Sequence, residues 1–199
     1  MFKFGKKKSL SMKYLGEACL HQKAAPIEAI TDDIRSLSEA MLDVMYRHEG
    51  VGLAAPQVGI LLRLVTLDVP EPKEPDMPLS PGERELLPLM PLVLVNPEIE
   101  SFSSVTEVGE EGCLSVPKLY APVERSLSVV LKTTLLDGRQ IRVDCGGFLA
   151  RALQHELDHL DGVVYVQRVK DPDFAGILPQ LQKIYKKYGP RGYKINRLV

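Results

Sequence analysis

Two histidines and a glutamate form the pattern in this chain that points most directly to chemistry. His155 and His159 are four residues apart, a spacing that places both imidazoles on the same face of a helix. Both rings can then reach one metal ion, and Glu156 follows the first histidine, where it can take a proton from water that the metal activates. The pattern predicts a helical metal site with a general base. Taken alone, it is short enough to occur by chance on a solvated helix face.

A catalytic site of this kind needs three protein ligands and one open position. Downstream of the helix the candidate ligands are Asp161, Asp171 and Asp173, and none stands at a recognisable spacing. Upstream, Cys113 offers a thiolate, which is a good ligand for Zn²⁺ or Fe²⁺. The alternative for Cys113 is a buried structural thiol. The glycine, acids and proline around it argue against a position in a core strand.

The helices that must position these residues follow from hydrophobic periodicity and from breaker residues. Thr31 or Asp32 can begin a helix with a 3.6-residue apolar stripe that ends at Gly50. Gly146-Gly147 begins the helix that carries His155 and His159, and a C-terminal helix is predicted from Asp173 to Tyr188.

Strands are predicted on both sides of the metal-binding helix. Asp137-Gly138 is a typical two-residue hairpin turn between two of them. Strands that precede and follow a central helix without βαβ alternation indicate an α+β fold, with largely antiparallel β-sheets around the metal-binding helix. The predicted strands are residues 63–69, 92–95, 99–108, 126–136, 139–143 and 163–166.

Length and composition indicate one catalytic domain over residues 1–199, because 45% hydrophobic content suffices for one sizeable core. Residues 1–14 are basic and are expected to form a ragged, solvated start. The segment 70–91 contains seven prolines and is predicted to be a loop insertion. Residues 189–199 form a basic tail.

Charge and hydropathy exclude several classes of function. The formal net charge of −1 gives no general attraction to DNA. No apolar run approaches the roughly 18–20 residues of a membrane span, and no secretory signal is recognisable. Three cysteines are an odd number for a disulfide scaffold and indicate a reducing compartment. A cytoplasmic location is therefore expected.

Three segments of the chain closely resemble the motifs of the peptide deformylase family. They are Gly50–Gln57, Glu111–Ser115 and His155–His159, and every defining position matches in the family's order. The likeness extends from about Leu15 to Arg168. The resemblance implies a deformylase-like α+β fold and a hydrolase that removes the N-formyl group from the N-formylmethionine of newly synthesised polypeptides, releasing formate.

The resemblance also implies roles for individual residues. Glu156 would be the general base toward the attacking water and would then pass the proton to the departing amine. The Gln57 side-chain amide and the Leu114 backbone N–H would stabilise the oxyanion, and removal of one such donor should cost roughly 3–4 kcal/mol. The implied metal ligands are Cys113, His155 and His159.

The substrate would bind as an added strand, as in the family. Backbone groups of Val51, Gly52 and Gly112 are candidate hydrogen-bonding partners. Val51, Phe148 and Ala152 are candidates for the methionine pocket, although each could be ordinary core. Glu111 is expected to orient its loop or a neighbouring arginine such as Arg151.

The resemblance implies one divalent metal ion and a nascent-peptide substrate. Fe²⁺ is expected in the cell, with Zn²⁺, Ni²⁺ or Co²⁺ in purified protein, since thiolate and imidazole ligands suit all four. N-formylmethionyl peptides are the expected partners, and the resemblance together with the basic C-terminal tail suggests the ribosome near the tunnel exit as another. The alternatives are a zinc metallopeptidase, a non-catalytic metal-stabilised binding module, and a cysteine hydrolase with Cys113 as nucleophile.

Overall fold

Helix α3 (Gly147–Leu160) lies at the centre of the structure and is buried on almost every side. The computed structural model describes Phe4, residues 10–72 and residues 78–189. In that part of the chain α3 contacts both β-sheets, so its polar side chains lie among protein atoms rather than in water. Buried polar groups need hydrogen-bonding partners, and the surroundings of this helix supply most of them.

Two of the other helices have the predicted positions. Helix α1 (Asp32–Arg47) buries an apolar stripe that includes Ile34, Leu37 and Met41. The C-terminal helix, α4 (Asp173–Tyr188), has the predicted bounds. A third helix, α2 (Pro81–Leu86), was not predicted. The short 3₁₀ segments are Ala18–His21, Ala55–Val58, Leu87–Leu89 and Tyr165–Gln167.

The strands form a five-stranded sheet in the order β1-β2-β3-β6-β7 and a separate two-stranded hairpin of β4 and β5. All the pairings between these strands are antiparallel. The predicted α+β class with antiparallel sheets around the central helix is confirmed. The bounds are β1 (Gly52–Ala54), β2 (Leu64–Leu67), β3 (Leu92–Phe102), β4 (Thr106–Cys113), β5 (Val116–Ser126), β6 (Ser128–Leu135) and β7 (Gln140–Gly146).

Two predicted strands are wrong. The predicted strand 99–108 is divided, because the chain turns after Phe102, where the Ser103 hydroxyl accepts a hydrogen bond from the Val105 N–H at 3.0 Å. The predicted strand 163–166 lies at the start of a 3₁₀ turn. There the Gln167 side chain accepts from the Val164 N–H at 2.8 Å, a local bond that competes with strand pairing.

The proline-rich segment is a loop only in part. Pro81 stands at the start of α2, where its missing N–H costs nothing. The Ser80 hydroxyl accepts from the Glu83 N–H, and the Glu83 carboxylate accepts from the Ser80 N–H, which completes a capping box. Gly82 then allows α2 to lie directly against Cys145 of β7. The prediction of a loop throughout 70–91 is therefore wrong for α2 and the turn after it.

Several sequence predictions fall outside the described residues. These are most of the basic N-terminal segment 1–14, the middle of the insertion at 73–77 and the tail from 190 to 199. Among the residues that are described, each helix is too short or too polar to cross a membrane.

Candidate active site

The side chains of Cys113, His155 and His159 converge where the end of β4 meets α3. Their potential ligand atoms all lie within 4.8 Å of one another, and Cys113 Sγ is 3.2 Å from His159 Nε2. A tetrahedral ion with bonds of roughly 2.0–2.3 Å separates its ligand atoms by about 3.5 Å. One thiolate and two imidazoles are ligands that divalent transition metals favour. The three residues therefore fit a single metal ion.

Glu111 fixes the orientation of the His155 ring. His155 Nδ1 lies 2.9 Å from Glu111 Oε2. Burial raises the pKa of the Glu111 carboxyl, but hydrogen bonds from His155 and Arg125 outweigh it and lower that pKa to about 2. The carboxylate is therefore ionised and can only accept, so Nδ1 carries the proton and donates. This leaves the Nε2 lone pair of His155 for a metal ion.

Two buried arginines complete the hydrogen bonding of Glu111. Arg125 Nε donates to Oε1 at 2.9 Å and Arg125 Nη2 donates to Oε2 at 3.0 Å. Arg151 Nη1 donates to Oε1 at 3.0 Å. Because Arg125 belongs to β5 and Arg151 to α3, the carboxylate joins the hairpin to the helix. The expectation that Glu111 orients a neighbouring arginine agrees with this geometry.

Glu156 differs from Glu111 in having little hydrogen bonding. Among the described residues its buried Oε2 atom has no hydrogen-bonding partner. Burial raises the pKa of its carboxyl from 4.5 to about 7. Its carboxylate lies directly against the backbone of Gly52 in β1, where a Cβ atom would collide with it. A carboxyl with these properties can exchange a proton near neutral pH.

The Gln57 amide is held by its surroundings and directed at the metal-ligand cluster. Its Oε1 atom accepts from the Ala54 N–H at 2.8 Å, which fixes the amide plane. Its Nε2 atom then lies 3.4 Å from Cys113 Sγ and 3.3 Å from Ser115 Oγ. Leu114 stands in the turn between Cys113 and Ser115. Both predicted oxyanion donors are thus next to the cluster.

A cavity of about 660 Å³ opens beside these residues. Its walls include the predicted substrate-binding residues Val51, Gly52, Gly112, Phe148 and Ala152. Glu111, Leu114, Gln57, Cys113, His155 and Glu156 line it as well. His159 is not among the lining residues and is only 1% exposed, so it lies behind the cavity wall.

The family model for polypeptide deformylase matches residues 10–175 of the chain. The chain belongs to the polypeptide deformylase family. Metal-dependent deacylation is the general function of this family, and the chain is a hydrolase of that class. The family predicted from the three sequence motifs is confirmed.

Individual relatives agree with this deformylase assignment. Peptide deformylase 2 of Gloeobacter violaceus is 42% identical over 175 residues, which are 88% of this chain and 86% of the relative. The crystal structure of a peptide deformylase from Synechococcus elongatus in complex with actinonin is 36% identical, with a TM-score of 0.73 and coverage of 98% and 96%. A plant peptide deformylase structure is 32% identical, with a TM-score of 0.79 and 94% coverage of both chains.

Sequence reasoning overlooked two residues of this deformylase site. Arg125 follows the buried positions Ala121 and Val123 at a period of two along β5, so a charged residue in the buried series was the available signal. Tyr165 packs its ring against His155 with centroids 6.0 Å apart, and its hydroxyl donates to the Leu119 carbonyl at 2.9 Å. Tyr165 lies in the apolar run 163–166, where nothing in the sequence marks it as part of the site.

The pKa of Glu156 predicts how pH affects the metal-free protein. The folded-state pKa of about 7 lies above the ordinary 4.5, so folding favours the protonated carboxyl. As pH rises from 4.5 to 7, the unfolded chain ionises first and this contribution to stability is lost, by about 3 kcal/mol. Urea unfolding of metal-free wild type and Glu156→Gln at several pH values measures it. The stability of wild type relative to Glu156→Gln should decrease across this window, and a constant difference contradicts the prediction.

Proposed function

We propose that the protein removes the formyl group from N-formylmethionine at the start of new polypeptides, with the metal ion held by Cys113, His155 and His159. The observation that carries the proposal is the position of Glu156. Its buried carboxylate has an oxygen without a partner among the described residues, next to three converging ligand side chains and at the wall of a cavity. A general base needs such a free acceptor.

The reaction is the addition of water to the formyl carbon, followed by cleavage of the C–N bond to give formate and a free amine. When bound, a divalent cation polarises the formyl carbonyl and lowers the pKa of the attacking water. Glu156 removes a proton from that water and delivers it to the departing amine. The Gln57 amide and the Leu114 N–H donate to the oxygen that becomes negative.

The substrate is proposed to bind as a strand in the cavity. Val51 and Gly52, at the start of β1, and Gly112 of β4 line the same cavity, so backbone groups of both segments can pair with an extended peptide. Phe148 is half exposed and stands with Ala152 in the same cavity, where both can contact the methionine side chain.

The cellular metal, location and further partner are also proposals. Fe²⁺ is proposed as the cellular ion and the cytoplasm as the location, where nascent chains emerge. The ribosome is proposed as a partner because α4 carries exposed Lys183, Lys186 and Lys187, which suit RNA phosphates. Deletion of residues 171–199 should reduce co-sedimentation with ribosomes, and undiminished co-sedimentation contradicts this partner.

The main test is formate release from formyl-Met-Ala-Ser under anaerobic conditions, with and without added Fe²⁺. Formate should appear only with metal, and internal peptide bonds should stay intact. Cleavage of unformylated peptides would favour the zinc metallopeptidase instead. Activity that survives a chelator would favour a cysteine hydrolase.

The Glu156→Gln variant tests the proposed role of Glu156 as the base. It retains the shape of the side chain but cannot accept the proton, so formate release should fall by about 10²–10⁴-fold. The metal content should stay at the wild-type value, since Glu156 is not a proposed ligand. Unchanged activity would favour a non-catalytic metal-stabilised module.

Two neighbouring glycines provide a second prediction for the same reaction. A Cβ at Gly52 would meet the Glu156 carboxylate, whereas a Cβ at Gly50 would meet the Leu114 side chain, 2.7 Å from Cδ1. The end of a leucine side chain can move more freely than a buried carboxylate that acts as the base. Gly52→Ala should therefore reduce kcat by about tenfold or more, because a misplacement of about 1 Å in an active site can cost that much. Gly50→Ala should reduce it less. Equal effects on kcat in protein with full metal content would contradict the proposed position of the base.

A further inference from the structure

The hydrogen bonds around Glu111 continue through the protein toward the opposite surface. Arg125 is held at both ends of its guanidinium: Nε and Nη2 donate to Glu111, and Nη1 donates to Asp158 Oδ2 at 2.6 Å. Arg125 is only 6% exposed, so the two carboxylates compensate for the hydration that its guanidinium loses on burial. Asp158, which lies between the two histidines of α3, belongs to this buried chain of charges.

Arg168 binds Asp158 from the outer side. Arg168 Nη2 donates to Asp158 Oδ1 at 2.6 Å, and Nε donates to Oδ2 at 3.1 Å, so the fork contacts both carboxylate oxygens. The Arg168 side chain is 49% exposed, whereas that of Asp158 is 11% exposed. An unbroken series of hydrogen bonds therefore connects a half-exposed arginine to His155.

We propose that Arg168 is a positioning residue for the metal site, acting through Asp158, Arg125 and Glu111 on the His155 ring. The proposal rests on the proposed function, since it takes His155 as a metal ligand. A planar guanidinium that binds both oxygens fixes the rotation of a carboxylate as well as its position. Asp158 held in this way keeps Arg125 Nη1 aligned, and Arg125 then keeps the Glu111 acceptor under His155 Nδ1.

The surroundings of Asp158 show why this contact differs from an ordinary surface ion pair. A cavity of about 480 Å³ borders Arg125, Asp158 and Arg168, so water can reach Asp158 if the Arg168 side chain is removed. Exposed ion pairs usually add little stability. Here the carboxylate also accepts from a buried guanidinium, so movement of Asp158 leaves Arg125 Nη1 misaligned in the interior. Because Arg125 keeps its two hydrogen bonds to Glu111 and water can reach Asp158, the cost in global stability should be small, and the effect should appear at the metal site.

The test compares Arg168→Gln and Arg168→Lys with a matched control. The control is Arg142→Gln, because Arg142 is also an arginine with a carboxylate partner, Glu100, at an exposed site in β7. Each protein is loaded with Zn²⁺, and the release of zinc to excess chelator is timed. The unfolding midpoint of each metal-free protein is measured alongside.

Arg168→Gln should release zinc about 3–10-fold faster than wild type, less than the 10–100-fold losses typical of groups that bond a ligand directly. Arg168→Lys should be intermediate, because it retains the charge without the fork. Arg142→Gln should match wild type, and the metal-free unfolding midpoints of all four proteins should agree.

Equal zinc release by Arg168→Gln and wild type overturns the proposal. So does faster release that is explained by a lower metal-free unfolding midpoint, because Arg168 then contributes only general stability. Failure of the proposed function is distinguishable: in that case wild type itself retains no zinc, or retains it and releases no formate from formyl-Met-Ala-Ser.

Discussion

The site depends on one buried negative charge, the Glu111 carboxylate. An ionised carboxylate out of water is strongly unfavourable unless its oxygens are filled with donors. Here they accept from Arg125, Arg151 and His155, which come from a strand and a helix far apart in the sequence. Satisfying this charge therefore forces the β4–β5 hairpin and α3 into one relative position. Cys113, two residues after Glu111 in β4, is thereby brought to the histidines.

A second constraint is the close approach of the β1 backbone to α3. β1 and the turn after it contain the small residues Gly52, Ala54 and Ala55, and Gly52 lies against the Glu156 carboxylate. Close backbone approach of this kind is available only without a side chain. It lets the backbone lie against the base, and it places Gln57, in the turn after β1, next to Cys113, where the Ala54 N–H fixes its amide. This stretch of backbone therefore lies within the candidate site.

Features with local causes were predictable from the sequence, whereas those with distant causes were not. The stripe of α1 and the glycines before α3 depend on neighbouring residues, and both helices form as predicted. The hairpin at Asp137-Gly138 forms as well, but its loop has three residues between Leu135 and Arg139 instead of the predicted two. The β5 strand escaped notice because it contains Pro117 and Pro122, which lack a backbone N–H and interrupt a strand pattern in the sequence. Its stability comes from pairing and from Arg125, whose partners lie 14 and 33 residues away.

The sequence of the metal-binding motif also does not by itself identify the reaction. A histidine pair with an intervening glutamate is compatible with several hydrolases, and the helix alone does not distinguish them. What the motif does not show is that the two buried carboxylates of the site, Glu111 and Glu156, have different surroundings. Glu111 has its oxygens filled and a pKa near 2, whereas Glu156 keeps an oxygen without a partner among the described residues and a pKa near 7. Two carboxylates whose surroundings move their pKa values in opposite directions are suited to different tasks. Glu111 can hold a ligand as a permanent anion, and Glu156 can exchange a proton.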